Sequence, residues 1–160
     1  MSETKDVRAL AGISLAAEVL ASGATVQVRA LGSSMLPAVW PGDVLTIEGS
    51  SAIAPVPGDI VLALRNQQPC IHRVKEVLNC DGRILWVTRG DAVPQSDPPV
   101  EASDLLGKVS CIHRNRRRIV PRRKPLPGSR LFAWMLCRWD RLRSVCLHMH
   151  SFRQSFGQQT

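Results

Sequence analysis

The feature that most constrains the fold is an alternation of apolar and polar residues with a period of two, which begins at Thr25. Successive side chains of a β-strand point to opposite faces, so this period is typical of strands with one buried face. Six such runs follow one another, at residues 25–31, 43–49, 59–65, 70–78, 83–90 and 105–114. Turn signals separate them, notably Pro-Gly-Asp at 41–43 and 57–59 and the proline-rich stretch 91–99. Six short strands at this spacing predict a mainly β fold, either a barrel or a folded sheet.

The residues before this region predict a short N-terminal helix. Apolar side chains recur at helical spacing over residues 6–22, Asp6 is a candidate N-cap, and Gly23 is a natural C′ residue. The longest apolar run here covers residues 10–17, far short of the ~20 residues that cross a bilayer, and the start lacks the basic opening of a signal peptide. We therefore expect a soluble, cytoplasmic chain without a transmembrane segment.

The last third of the chain is strongly basic. The 160 residues include 21 Lys and Arg against 13 Asp and Glu, a net charge of +8. Residues 1–107 carry 8 basic and 12 acidic side chains, a net charge of −4, whereas residues 108–160 carry 13 basic and 1 acidic, a net charge of +12. An arginine- and proline-rich linker at 115–130 precedes apolar residues at helical spacing between Phe132 and Met149, which predict an amphipathic helix. Only this tail favours an anionic partner, and a membrane surface that holds the chain peripherally suits it.

These patterns divide the chain into an N-terminal helix (1–23), a β domain (24–114), and a basic linker with an amphipathic helical tail (115–160). The five cysteines show no CxxC spacing, so the sequence predicts neither a disulfide framework nor a metal site, and no cofactor is indicated. Only about two dozen residues precede the β domain, too few for a helix-turn-helix unit, so we do not expect nucleic-acid binding.

The loop between the first two predicted strands contains a candidate nucleophile. It reads Gly-Ser-Ser-Met-Leu-Pro over 32–37 and ends in Pro-Gly-Asp at 41–43. A serine on a tight connection beside a glycine can present its hydroxyl, and neighbouring backbone N–H groups can bind an oxyanion. Paired serines in a loop are more often part of a solvated turn, so the hypothesis requires a base and an acid elsewhere.

A base and an acid are both available. His72 lies inside a predicted strand, whereas the other three histidines lie in the terminal region or beside an arginine cluster. Asp91 and Asp97 lie in the proline-rich loop. A histidine in a strand is more often structural, and an aspartate in such a loop is ordinarily turn chemistry. Their joint occurrence with the serine loop favours a Ser-His-Asp arrangement.

In combination these motifs resemble the signal peptidase I family, within the wider group that includes LexA-like self-cleaving repressors. Ser34-Met35-Leu36-Pro37 with the downstream Gly42-Asp43 resembles the nucleophile box of that family. His72-Arg73-Val74 resembles the box that carries a lysine base in bacterial enzymes and a histidine in the archaeal and endoplasmic-reticulum type. Thr88-Arg89-Gly90-Asp91, with Asp97 six positions later, resembles the final box of the second type. The resemblance covers about residues 25–112.

The resemblance implies a signal-peptidase/LexA-like β fold and a serine endopeptidase in which Ser34 attacks, His72 transfers the proton and Asp97 orients the imidazole. An orienting or structural role is implied for six more residues: Asp91, Gly32, Ser33, Met35, Pro37 and Asp43. Such an enzyme takes an extended peptide or protein as its substrate, with small residues such as alanine flanking the scissile bond.

The chain departs from the family pattern at three points. Gly32 stands where bacterial enzymes have a serine that assists the oxyanion hole, so main-chain donors would have to suffice. Asp91 is followed by Ala-Val instead of paired asparagines, and the family's transmembrane anchor is missing. Lys75 is an alternative base, but a lysine with its usual pKa of about 10.4 needs deep burial to act at neutral pH, whereas an imidazole does not.

Two other functions stay open at this point. A LexA-like regulator would cleave itself, and the dipeptide Ala11-Gly12 resembles such a cleavage site. Alternatively, the chain is an inactive peptide-binding module that retains the fold. A serine endopeptidase is the leading prediction.

Overall fold

The computed structural model describes residues 14–49 and 54–124, which form one antiparallel sheet of seven strands and the end of a short helix. The helix, α1, covers residues 14–21. The strands are β1 (Thr25–Arg29), β2 (Val44–Gly49), β3 (Ile60–Arg65), β4 (Gln68–Cys80), β5 (Arg83–Arg89), β6 (Leu105–Arg114) and β7 (Arg117–Ile119). A 3₁₀ turn at Ala102–Asp104 leads into β6. The predicted mainly β class and the short N-terminal helix are both confirmed.

The sheet is open, and its strand order is β1-β2-β6-β3-β4-β5. β6 is central because β2 pairs along one of its edges, while β3 and β7 share the other. β3 and β4 form a hairpin in which Val61 pairs with His72 and Ile60 pairs with Arg73. This register places His72 on β4, which lies between β3 and the end strand β5 and two strands away from β6.

α1 ends as the sequence predicts. Gly23 adopts a positive φ of 81°, and its N–H donates to the carbonyl of Leu20. The N–H of Ala24 donates to the carbonyl of Val19, which completes a Schellman cap. Leu20 is fully buried and joins the largest apolar cluster of the described residues. Residues 1–13, with the predicted N-cap Asp6, lie outside the described residues.

Two of the three apolar clusters in the described residues form the core of the sheet. The larger includes Leu45 and Ile47 of β2 and Ile112 of β6, so it joins α1 to one part of the sheet. The smaller surrounds Trp86 on β5, whose indole N–H donates to the carbonyl of Pro55. Alternation along β2, in which Leu45 and Ile47 are completely buried, is the period-two pattern on which the strand prediction rests.

β7 lies in the segment that the sequence assigns to a linker. It pairs with the end of β6, and a two-residue turn at Asn115-Arg116 connects them with φ values of 48° and 60°. Turns of this kind favour glycine at the second position, and an arginine there gives no sequence signal for a hairpin. The β4–β5 hairpin has Asp81-Gly82 in the same place, which the sequence marks clearly as a turn.

The amphipathic helix predicted between Phe132 and Met149 falls outside the described residues. Within residues 14–49 and 54–124, none of the helical segments has both the length and the apolar composition needed to cross a membrane.

Candidate active site

The loop that carries Ser34 connects β1 to β2 and is anchored at both ends. The N–H of Ala30 donates to the carbonyl of Asp43, and the N–H of Gly42 donates to the carbonyl of Ala30. Met35 and Leu36 are buried beneath the loop, and the bond between Leu36 and Pro37 is cis. The apolar residues of the motif therefore fix the loop to the core and leave Ser34 half-buried at its surface.

The two Pro-Gly-Asp motifs form the same turn. In each, the glycine has a positive φ, 92° at Gly42 and 98° at Gly58, as a type II turn requires after proline. The aspartate then accepts a hydrogen bond at Oδ2 from the backbone N–H three residues earlier, which is Trp40 for Asp43 and Val56 for Asp59.

Each of these aspartates also binds an arginine that lies much later in the sequence, at the end of β6 or after β7. Asp43 is fully buried and accepts from Nε and Nη2 of Arg114, whose Nη2 also donates to the carbonyl of Ala38. Asp59 accepts from Nε of Arg123 at 2.8 Å. Asp43 therefore fastens the serine loop to β6, a structural role of the kind the sequence analysis allowed for it.

Ser34, His72 and Asp97 form a continuous hydrogen-bonded chain. Ser34 Oγ lies 3.1 Å from His72 Nε2, and His72 Nδ1 lies 2.5 Å from Asp97 Oδ2. The three residues come from the β1–β2 loop, the middle of β4 and the loop after β5, so only the fold brings them together. His72 and Asp97 are largely withdrawn from solvent, with side chains 13% and 9% exposed.

Asp97 is held from three directions. Thr88 Oγ1 donates to its Oδ2 at 2.7 Å, Arg65 Nη1 donates to its Oδ1 at 2.7 Å, and its own N–H donates to the carbonyl of Thr88 at 2.8 Å. Burial would raise the pKa of Asp97, but the hydrogen bonds from Thr88, His72 and Arg65 outweigh it and hold the pKa below its ordinary value.

The ionised carboxylate settles the proton positions on the imidazole. A carboxylate only accepts hydrogen bonds, so Nδ1 of a neutral His72 must carry the hydrogen and donate it to Asp97. Nε2 then presents its lone pair to Ser34, and the serine hydroxyl is the donor. This is the tautomer in which a histidine can remove the proton of a serine.

Asp91 does not contact His72 and instead forms a fork with Arg73. Arg73 Nε and Nη2 donate to the two carboxylate oxygens at 2.8 and 2.7 Å. The guanidinium is 3% exposed, and its Nη1 also donates to the carbonyls of Gly58 and Arg122. Asp91 and Arg73 thus tie the loop after β5 to the turn before β3 and to the segment after β7.

The same loop packs directly against the serine. The N–H of Ala92 donates to the carbonyl of Ser34 at 2.8 Å. A Cβ at Gly90 would lie 2.7 Å from that carbonyl oxygen and 3.1 Å from the Cβ of Ser34. The loop after β5 can therefore approach Ser34 this closely only because residue 90 is a glycine. At Gly32, by contrast, a Cβ would meet nothing within 4 Å.

Backbone donors beside the serine suit an oxyanion. Among the hydrogen bonds of the described residues, the N–H of Ser34 and the N–H of Met35 donate to no acceptor. The carbonyl of Ser33 accepts a hydrogen bond from the N–H of Leu36, and the ring nitrogens of His72 bond to Asp97 and Ser34 instead of Ser33. Lys75 lies exposed at a bulge of β4, after the residues that pair with β3.

A cavity of about 370 Å³ lies behind the serine loop and is not lined by Ser34, His72 or Asp97. Its walls are largely apolar, formed by Pro37 and Ile60 together with Val120 and Pro121 after β7, and the Arg73–Asp91 pair lines one side. Within the described residues, no group of three or more His, Cys, Asp or Glu side chains is arranged to hold a metal ion.

The sequence analysis identified Ser34, His72 and Asp97, which form the hydrogen-bonded chain, but it missed the residues that support this chain. Thr88 and Gly90 lie inside the motif that resembles the family's final box, and their contacts explain why those positions matter. Arg65 and Arg114 have no motif, because each is an arginine at the end of a strand that meets its partner only through the sheet.

No protein-family model matches the sequence, and no curated protein matches it either.

Proposed function

We propose that this protein is a serine endopeptidase resembling signal peptidase, in which Ser34, His72 and Asp97 act as a catalytic triad. One observation carries the proposal: the unbroken chain from Ser34 Oγ through both ring nitrogens of His72 to Asp97, with distances of 3.1 and 2.5 Å. A histidine with a purely structural role requires neither a serine hydroxyl at one ring nitrogen nor a fixed, ionised carboxylate at the other. The combination is the one that activates a serine.

The reaction follows from these contacts. His72 Nε2 removes the proton from Ser34 Oγ as the oxygen attacks the scissile carbonyl, and Asp97 stabilises the resulting imidazolium. The backbone N–H groups of Ser34 and Met35, which donate to no acceptor among the described residues, would stabilise the negative charge on the carbonyl oxygen. His72 then gives the proton to the leaving amine, which leaves an acyl ester on Ser34. Water, deprotonated by His72, hydrolyses that ester and restores the enzyme.

The substrate in this proposal is an extended peptide. β1 lies at one end of the sheet and pairs only with β2 among the described strands, and it leads directly into the serine loop. A peptide added along the free edge of β1 would form main-chain hydrogen bonds and pass beside Ser34. The resemblance to signal peptidase suggests small residues on both sides of the scissile bond.

The test is cleavage of a panel of alanine-rich peptides by the purified protein and by single-residue variants. We expect Ser34→Ala to abolish cleavage, since loss of the nucleophile of a triad costs about 10⁶ in turnover. Ser33→Ala is the matched control, because the neighbouring hydroxyl does not contact His72, and it should retain activity. A folded Ser34→Ala protein that still cleaves would overturn the assignment.

A second pair of variants distinguishes the two candidate bases. His72→Ala should be almost inactive, whereas Lys75→Ala should cleave at close to the normal rate because Lys75 is exposed on the strand. If no peptide is cleaved but one binds tightly, the alternative of an inactive peptide-binding module takes precedence. The self-cleaving alternative predicts cleavage at Ala11-Gly12, which mass spectrometry of the intact protein detects.

The proposed partner of the basic tail is an anionic membrane surface. The described part of that region supports this with exposed arginines at 116–118 and 122, beside Val120, an exposed apolar residue. Cationic and apolar side chains together favour the interface of an anionic bilayer.

A further inference from the structure

We infer that Arg65 is a positioning residue of the proposed triad, and that its guanidinium extends the activity of His72 to lower pH. The inference rests on the proposed function. The observation behind it is that Arg65 binds the oxygen of Asp97 that His72 does not use: Nη1 donates to Oδ1 at 2.7 Å, while His72 lies against Oδ2.

The hairpin of β3 and β4 explains why Arg65 can reach this carboxylate. Val61 pairs with His72, so these two side chains lie on the same face of the hairpin. Arg65 lies four residues after Val61 on the same strand, so the side chains of Arg65 and His72 also share that face. The turn at Asn66-Gln67, with φ values of 48° and 61°, ends β3 immediately after Arg65. The arginine and the histidine therefore flank Asp97 from one rigid element.

The other two nitrogen atoms of the Arg65 guanidinium indicate that the residue does more than stabilise the fold. Nε and Nη2 of Arg65 are buried and have no hydrogen-bond partner among the described residues. Leaving buried donors unsatisfied is unfavourable, so an aliphatic side chain would serve packing better at this position. The contact that holds the guanidinium is its ion pair with Asp97, whose side chain is 9% exposed.

The electrostatic consequence concerns the proton on His72. Asp97 favours the imidazolium, whereas a positive charge on the far oxygen of Asp97 opposes it. The charged and titratable groups around the imidazole are Asp97 from the loop after β5, Arg65 from β3 and Cys70 from β4, with the hydroxyls of Thr88 and Ser34 beside them. Burial raises the pKa of Cys70, so its thiol is neutral where the enzyme would act, and Arg65 is the cation in this set. It therefore helps to keep His72 neutral, and able to accept a proton, as the pH falls.

The test compares the pH dependence of Arg65→Gln, Arg65→Lys and the wild type. The readout is the rate at which a fluorophosphonate probe labels Ser34, because this requires no knowledge of the natural substrate. We expect Arg65→Gln to move the acid limb upward by on the order of 0.5–1 pH unit, which slows labelling about 3–10-fold at pH 6 and little at pH 9. Arg65→Lys keeps the charge and should leave the limb within about 0.3 unit of the wild type. Arg83→Gln, which removes an exposed arginine far from the triad, is the control and should not move it.

A titration that needs no activity separates this inference from the proposed function. The ring resonances of His72, followed by NMR against pH, should show a higher midpoint in Arg65→Gln than in the wild type, because a nearby positive charge has been removed. A wild type that labels at Ser34, with no shift in Arg65→Gln by either method, overturns the inference and leaves the triad intact. A shifted NMR midpoint without any labelling supports the electrostatic coupling between Arg65 and His72 and contradicts the proposed peptidase activity. Arg65→Met replaces the glutamine if that variant unfolds, and if both unfold while Arg65→Lys does not, Arg65 is structural and the inference is wrong.

Discussion

At the scale of single residues, the two aspartates of the loop after β5 have separate tasks. Asp97 faces His72, whereas Asp91 neutralises Arg73, which is almost completely buried. Six positions of sequence thus separate the residue that is proposed to orient the base from the residue that holds the loop in place.

Asparagine at each position should distinguish these tasks. Asp97→Asn keeps the shape but favours the wrong imidazole tautomer, so we expect a loss of about 10⁴ in turnover with the fold intact. Asp91→Asn leaves the guanidinium of Arg73 without its counterion, which should cost about 3–5 kcal/mol of stability. Peptide cleavage and urea unfolding of both variants measure the two effects. A stability loss confined to Asp97→Asn would contradict the assignment.

The lowered pKa of Asp97 also predicts how stability depends on pH. A carboxyl group whose pKa is lower in the folded state contributes stability that is complete above its unfolded value, near the ordinary 3.8, and that disappears as the pH falls through the folded value. The stability difference between wild type and Asp97→Asn should therefore be constant at neutral pH and narrow below about pH 4. Thermal melts across this range test it, and a difference that widens in acid would show that the sign is wrong.

Gly90 and Gly32 offer a comparison on either side of Ser34. A methyl group at position 90 would press on the carbonyl and Cβ of Ser34, whereas one at position 32 would meet open space. We expect Gly90→Ala to reduce both activity and melting temperature, and Gly32→Ala to change neither appreciably. Equal effects would mean that the loop after β5 does not set the position of the serine.

At the scale of elements, the hairpin turns limit how well the sheet is stabilised. Asn66-Gln67 and Asp81-Gly82 both adopt positive φ at two successive residues, but the first has glutamine where the second has glycine. Glutamine in the left-handed region is strained, because its Cβ approaches the following carbonyl.

Exchanging these turn residues should shift stability in opposite directions. Gln67→Gly relieves the strain and should raise the free energy of unfolding by about 0.5–1 kcal/mol, whereas Gly82→Ala should lower it by a similar amount. Chemical denaturation measures both. A destabilising Gln67→Gly would mean that the β3–β4 turn does not carry the strain its φ values indicate.

The sequence specifies the elements better than their ends. The six longer strands and the cap at Gly23 could be predicted, since each is encoded locally. β7 could not, because the Asn115-Arg116 turn lacks the usual glycine. The triad residues could be named from their motifs, but Arg65 and Thr88 gain their roles only when the register of the sheet places them beside Asp97.

At the scale of the whole molecule, the first part of the basic segment after β6 is bound to the described sheet and is not a detached tail. Arg73 donates to the carbonyl of Arg122, and Arg123 pairs with Asp59 over a glycine, Gly58, that leaves no space for a side chain. A truncated chain that is meant to keep the fold must therefore extend to Lys124.

Sedimentation with vesicles tests the proposed partner of the tail. The full chain should co-sediment with anionic vesicles and hardly with zwitterionic ones, because the attraction comes from the net positive charge of residues 108–160. A chain ending at Lys124 should stay folded and bind more weakly. Full-length protein that ignores anionic vesicles at low salt would rule out the membrane surface as partner.

The most direct measurement of the central claim is labelling with a fluorophosphonate probe, followed by mass spectrometry of the modified peptide. The probe reacts with a serine only when a base has activated its hydroxyl, so it reports on the Ser34–His72–Asp97 chain without a known substrate. We predict one modification, at Ser34, that is lost in folded Ser34→Ala and His72→Ala proteins and retained in Ser33→Ala. Labelling at Ser33, or none in a folded wild type at pH 8, would contradict the account.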